Sequence, residues 1–152
     1  MMNQTTLPTG SCEWTVTETS ETAVCDLVQR ILTESAPSQH QPERRRHKRH
    51  PFPSLVTLTP IDPQEIRQVD EPLVVVGKNL ALRGLDFYHN EPIPCRRAII
   101  SFDEMPWEVH LVLLVSWCRF LRPGWYDSGG RFTHIIMPGG NSLEAADVVE
   151  LD

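Results

Sequence analysis

The sequence predicts an all-β protein, a small six-stranded antiparallel barrel with one amphipathic helix before it. Beyond residue 50 the apolar residues lose any helical period and fall into six short β-branched and aromatic runs. Breaks that carry Pro, Asp or Gly separate these runs, and no helical segment lies between them. The length of 152 residues fits one domain of ordinary size with additional segments.

The helix is predicted over Glu21–Glu34. Its apolar residues recur at the spacing of one helix face: Val24, Leu27, Val28, Ile31 and Leu32. Thr19 or Ser20 can cap its start, and Ala36-Pro37 stops it, because the residue before proline avoids the α region. A single helix of this length is not stable in isolation. It is therefore expected to dock on the barrel, on a partner or on a second copy.

Six strands are predicted after the helix. They are Leu55–Thr59, Leu73–Lys78, Gly84–His89, Arg97–Phe102, Trp107–Phe120 and Trp125–Ile136. Closing such a sheet into a barrel also removes its unpaired edges.

Charge divides the chain into segments. Residues 1–40 carry a net charge of −4, residues 41–50 carry +4, and residues 138–152 hold four acids and no base. The predicted organisation is a disordered leader (1–18), the helix (19–36), a basic linker (37–50), the barrel (51–137) and an acidic tail (138–152).

Composition excludes several classes of protein. The net charge of −6 and a pI near 5.5 argue against a general nucleic-acid binder. The longest aliphatic run, Leu111–Val115, is far shorter than the roughly 20 residues of a spanning helix, and Met1–Gly10 does not resemble a signal peptide. The cysteines form no CxxC pair, which favours reduced thiols in a cytoplasmic protein: Cys12, Cys25, Cys95 and Cys118.

No enzyme signature is present, so neither catalytic nor metal-binding residues nor a cofactor are expected. His47 and His50 form an HxxH pair, but the surrounding cations would repel a metal dication. The strand histidines, His89, His110 and His134, are interpreted as hydrogen-bonded structural groups, because no nucleophile lies beside them in sequence.

A basic segment, residues 43–49 with the sequence ERRRHKR, directly precedes the first predicted strand. Composition alone indicates a solvated basic loop, a nuclear-localisation-like motif or an anionic-lipid patch. Its position, however, lets the guanidinium groups fold back over the barrel surface. Arginine forks onto phosphate oxygens and onto guanine O6 and N7, so such a pair can hold a guanine nucleotide.

A second segment, residues 79–84 with the sequence NLALRG, joins two predicted strands. Alone it predicts only a turn whose glycine supplies the required backbone angles.

Together, in this order, the two segments resemble the PilZ family, which pairs RxxxR before its first strand with [D/N]xSxxG between its second and third strands. The stretches 115–119 and 126–132 are similar to the family's closing strands, so the resemblance covers residues 43–137. It implies a six-stranded barrel of split-barrel type and the binding of cyclic di-GMP. The residues implied for the ligand are Arg44, Arg45, Arg49, Asn79, Ala81 and Gly84.

The roles implied by the resemblance differ among these residues. Arg45 and Arg49 would grip guanine edges and phosphates, Arg44 would add positive potential or a further contact, and Asn79 would bond a guanine edge. Gly84 would let the backbone turn close to the ligand. Ala81 stands where the family has serine, so one hydroxyl contact is missing.

The main hypothesis is a non-enzymatic bacterial cyclic di-GMP receptor in the cytoplasm. The ligand would draw the basic linker onto the barrel, move the helix and signal to a protein partner whose identity the sequence does not give. The alternative is a PilZ-like protein-interaction module that no longer binds the nucleotide. A third reading is weak, salt-sensitive association of residues 44–49 with anionic lipid or nucleic acid.

Overall fold

The computed structural model describes residues 14–35 and 49–139, which form eight strands and one helix. In chain order these are β1 (Trp14–Glu18), α1 (Glu21–Ser35), β2 (His50–Pro51), β3 (Leu55–Ile61), β4 (Leu73–Ala81), β5 (Gly84–His89), β6 (Arg97–Ser101), β7 (His110–Arg122) and β8 (Trp125–Pro138).

Strands β3 to β8 close into an antiparallel barrel. Their order is β8-β5-β4-β3-β6-β7, and β7 pairs again with β8 to complete the ring. The remaining strands are additions to it, since β1 pairs with β8 and the two-residue β2 pairs with β4. The predicted fold class, a six-stranded antiparallel barrel with an N-terminal helix, is confirmed.

The helix docks on the barrel. Ser20 caps it as predicted, its hydroxyl accepting a hydrogen bond from the Ala23 amide at 3.0 Å. The apolar face that the periodicity predicts is buried in the same cluster as barrel side chains such as Phe52 and Phe102. Two exposed contacts flank that face, an ion pair from Glu21 to Arg83 at 3.1 Å and the Arg30 guanidinium over the Trp107 ring at 4.7 Å.

The prediction of disorder over residues 1–18 is wrong for Trp14–Glu18, which forms β1. This strand adds to one edge of β8, with Trp14 opposite Pro138, and most of its side chains remain exposed. Its sequence, WTVTE, alternates apolar and polar residues over only one period within a polar, Thr-rich leader, and pairing with β8 more than burial holds it in place.

Strand β4 is longer than predicted. It continues past the predicted end at Lys78 to Ala81, with a bulge between Gly77 and Asn79. A Cβ at Gly77 would overlap the carbonyl oxygen of Phe52, so the glycine permits a close crossing and does not end the strand. Asn79 and Ala81 therefore lie on a strand, not in the connection.

Several predictions concern residues outside the described ranges: most of the leader, linker residues 37–48 with Arg44 and Arg45, and the acidic tail from residue 140. Within the described ranges, no helix has the length and apolar character needed to cross a bilayer.

Candidate functional site

Four residues on neighbouring strands form a row across the outside of the barrel, here called the outer-face row: Asn79, Asp86, Gly129 and Trp117. Their register is direct, since Asn79 pairs with Asp86, Asp86 with Gly129, and Gly129 with Trp117. Successive strand residues point to opposite faces, and Leu85 and Phe87 are buried in the core. Asp86 therefore points outward, beside Asn79.

The basic segment reaches this row through Arg49. Its Nη1 lies 3.3 Å from Oδ2 of Asp86, with the arginine side chain 62% exposed and the aspartate side chain 11% exposed. Strand β2 fixes this position, because His50 and Pro51 pair with Leu80 and Asn79 immediately after Arg49. Two predicted site residues that are 30 positions apart are thus brought to Asp86: Arg49 pairs with its carboxylate, and Asn79 is its cross-strand neighbour.

The other end of the second motif is a tight hairpin. Ala81 pairs with Gly84 across a two-residue turn at Leu82 and Arg83, and Ala81 lies on the same face as Asn79, two residues before it. The structure gives Gly84 a packing role: a Cβ there would overlap the carbonyl oxygen of Gly130. The expectation that Gly84 supplies backbone angles that only glycine adopts readily is wrong. Among the described glycines, the positive φ belongs to Gly124 and not to Gly84.

Gly129 makes room for two neighbouring side chains of the row, Asp86 and Trp117. A Cβ at this position would lie 2.5 Å from Oδ1 of Asp86 and 2.7 Å from the Trp117 indole. The carboxylate and the indole therefore lie side by side over one glycine. The Arg119 guanidinium lies 5.4 Å from the Trp117 ring centre, on the far side of the row from Arg49.

A buried carboxylate holds two further cations next to the row. Asp127, only 1% exposed, accepts hydrogen bonds at Oδ2 from Lys78 Nζ at 2.9 Å and from Arg119 Nη2 at 2.8 Å. Its Oδ1 is buried and has no hydrogen-bond partner within the part of the chain that the structure describes. Burial alone would raise the pKa of Asp127, but the hydrogen bonds and charges of Arg119 and Lys78 outweigh it and lower this pKa below the ordinary value.

This arrangement predicts a pH-dependent stability. Because the pKa of Asp127 is lowered in the folded state, its stabilising contribution is present above the unfolded value of about 3.9 and is lost as the pH falls through the folded value. We expect Asp127→Asn to be less stable than the wild type at pH 7, and the difference to narrow below about pH 4. Urea unfolding of both proteins between pH 3 and 7 measures this, and a constant difference over that range would contradict the assignment.

The strand histidines have hydrogen-bond partners, as predicted. His89 is buried between the carbonyl of Glu91 at 2.7 Å and the Ser128 hydroxyl at 2.8 Å, and its burial lowers its pKa. His110 contacts Ser101 at 2.8 Å and Glu108 at 3.1 Å, but Ser101 is buried in β6 and is not presented as a nucleophile. Among the residues with described positions, no group of three or more His, Cys, Asp or Glu side chains is placed to hold a metal ion.

Sequence reasoning missed Asp86, Asp127 and Trp117 as parts of this surface. Asp86 did carry a signal, because an acid between Leu85 and Phe87 in an alternating strand must face outward. Asp127 and Trp117 carried none, since their proximity depends on the register of β7 against β8.

Comparisons with known proteins give a structural similarity and no family assignment. No family model and no curated protein matches the chain. Among solved structures it is similar to the Bacillus subtilis inhibitor of motility MotI/DgrA, with 13% sequence identity and a TM-score of 0.44. The match covers 70% of this chain and 49% of that one, so the chain spans about half the length of the protein it matches. The resemblance to the PilZ family therefore rests on the two motifs and the barrel.

Proposed function

We propose that this chain is a PilZ-like, non-enzymatic receptor for cyclic di-GMP. The observation that carries the proposal is the convergence of Arg49 and Asn79 on Asp86 at the outer face of the barrel. The two residues belong to the two motifs of the family resemblance, and β2 brings the first motif onto the strand that holds the second. A receptor of this kind belongs in the bacterial cytoplasm.

In this proposal the ligand is held by charge-assisted hydrogen bonds from Arg45 and Arg49, with Arg44 adding positive potential. Asn79 bonds a guanine edge, Ala81 borders the ligand, and Gly84 keeps the hairpin close to the barrel. A cyclic dinucleotide presents two phosphates and two guanine bases, which suit a set of arginines and an amide.

The response to the ligand is best assigned to the linker. Four buried side chains hold α1 on the barrel: Val24, Val28, Ile31 and Leu32. Exposing them costs roughly 6–12 kcal/mol, which is comparable to the about 8 kcal/mol of an entire micromolar binding reaction. Full release of the helix is therefore unfavourable, so the linker responds while α1 keeps its core contacts. The exposed Glu21–Arg83 ion pair adds little to holding the helix.

The second candidate function is a protein-interaction module that no longer binds the nucleotide. Two observations favour it: Ala81 lacks the motif hydroxyl, and an apolar groove of about 420 Å³ opens between β4, β5 and the β7–β8 hairpin. The groove is lined by Val76, Tyr88, Leu121, Arg122 and Trp125. This candidate predicts that partner binding is indifferent to cyclic di-GMP.

Isothermal titration of the full chain with cyclic di-GMP, with GTP and GMP as controls, tests the proposal. Saturable micromolar or tighter binding that the mononucleotides do not reproduce supports the receptor. Absence of heat at high ligand concentration in a folded protein rejects it and leaves the interaction module.

Restoring the motif serine is expected to strengthen the binding. In Ala81→Ser a neutral hydroxyl contact is added, worth about 0.5–1.5 kcal/mol, or roughly a 2- to 13-fold lower Kd. The same titration measures this change in Kd. Ala23→Ser, on the helix and away from the motif, is the control; Ala98→Ser is unsuitable because Ala98 is fully buried. An unchanged Kd would place Ala81 outside the ligand contact.

A further inference from the structure

Asp86 is an acid at the centre of a surface that the proposed function requires to bind an anion. Its residue is only 8% exposed, and its charged partner within the described residues is Arg49, at 3.3 Å. Gly129 and Trp117 close its other side. The carboxylate is therefore desolvated and depends on Arg49 for its stabilisation.

A ligand phosphate that takes the Arg49 guanidinium would leave this carboxylate nearly buried and unpaired. Breaking one side of a buried ion pair is strongly unfavourable, because the remaining charge has no water to compensate it. A ligand can bind here with useful affinity only if it also brings hydrogen-bond donors to Asp86. An ionised carboxylate only accepts, and it accepts best from two parallel donors.

We infer that Asp86 is a specificity-determining residue that accepts the N1–H and N2–H donors of a guanine base while Arg49 moves to the phosphate. The inference rests on the proposed function and assigns a role to a residue outside both motifs. Adenine N1 carries no proton and is itself an acceptor, so it cannot hydrogen-bond to the ionised carboxylate. We therefore expect adenine nucleotides to be rejected.

The neighbours of Asp86 suit a base at this place. The Trp117 indole lies beside the carboxylate over Gly129 and offers an aromatic plane for stacking. Asn79, its cross-strand neighbour on the other side, supplies an amide that both donates and accepts. A base edge at Asp86 thus has a stacking surface on one side and a second polar contact on the other.

The experiment titrates the full-length wild type and Asp86→Asn with cyclic di-GMP, cyclic di-AMP and the cyclic dinucleotide of inosine, whose hypoxanthine bases keep N1–H but lack the N2 amino group. We expect the wild type to bind the guanine ligand about tenfold or more tightly than the inosine ligand and to bind the adenine ligand least. In Asp86→Asn the guanine ligand should weaken by about tenfold or more, and its advantage over the inosine ligand should disappear.

The controls separate the possible failures. Asp103→Asn, an exposed acid on the β6–β7 connection, should bind like the wild type. If the wild type binds no cyclic dinucleotide, the proposed function fails and this inference with it. If it binds cyclic di-GMP but does not distinguish the inosine ligand, only the guanine-reading role is overturned, and this result does not require any variant to fold. Tighter guanine-ligand binding by Asp86→Asn would also overturn it, since Asp86 would then merely compete with phosphate for Arg49.

Discussion

We expect Gly130→Ala to lower the free energy of unfolding by about 3 kcal/mol, which is at the upper end of the cost of overpacking. A Cβ at Gly130 would overlap the backbone carbonyl oxygen of Leu114 and approach Val115 Cα to 2.8 Å. Neither obstacle is a flexible side-chain end, so the paired strands β7 and β8 must separate locally. A thermal melt followed by circular dichroism should show a midpoint lower by roughly 10 °C for a chain of this size.

Gly124→Ala is the matched control. At this position a Cβ has nothing within 4 Å, but φ is +88°, so the variant measures the conformational cost of replacing a glycine and no steric one. A loss of about 1–2 kcal/mol is expected for it. If Gly130→Ala destabilised the protein no more than Gly124→Ala, the inferred close approach of the β7 backbone to Gly130 would be wrong.

A second close approach, of β5 to β8, explains why one motif residue was predicted for the wrong reason. Gly84 pairs with Arg131, and the carbonyl oxygen of the preceding residue, Gly130, occupies the place of a Cβ at Gly84. From sequence, a glycine after Leu82 and Arg83 indicates a turn with unusual backbone angles. The actual cause is the approach of β5 to β8, a contact between residues 46 positions apart that no local pattern encodes.

The elements that sequence predicted are those whose pattern arises from burial. Helix α1 has an apolar stripe because that face enters the core, and β3, β5 and β6 alternate or run apolar for the same reason. Strand β1 escaped prediction because it is held by hydrogen bonds to β8 and exposes most of its side chains. Trp14 and Val16 do alternate with threonines, but so short a run at the end of a polar leader did not stand out as a strand.

The candidate site divides in a similar way. Arg49 and Asn79 were predicted from motif spacing, and the register of β2 against β4 brings them together. Asp86 and Trp117 join them only because β4, β5, β8 and β7 align in one particular register across Gly129. Sequence therefore indicated the proposed donors to the ligand, whereas the position of the acidic and aromatic groups beside them depends on the fold.

Arg49→Ala is expected to weaken cyclic di-GMP binding by roughly 10- to 150-fold, which corresponds to about 1.5–3 kcal/mol for a lost charge-assisted contact. In the proposed complex Arg49 contacts the ligand phosphate, and alanine offers no donor there. The fold should persist, because the arginine side chain is 62% exposed and lies outside the core cluster, but the stability of the protein should fall, since Asp86 loses a charged partner. Titration calorimetry gives the affinity, and circular dichroism of the same sample reports the fold.

Arg67→Ala is the control that isolates the position from the charge. Arg67 is 61% exposed and, like Arg49, pairs with a carboxylate, at 3.2 Å from Asp62. Both variants change the net charge by the same amount, so a general loss of attraction for an anionic ligand would affect them equally. Selective loss in Arg49→Ala means that the ligand is bound where the basic segment meets the outer-face row. Equal losses would mean that the overall charge of the protein, and not a specific contact, accounts for the binding. A collapse of the circular-dichroism signal in Arg49→Ala would mean that Arg49 is required for folding, through its ion pair with the nearly buried Asp86.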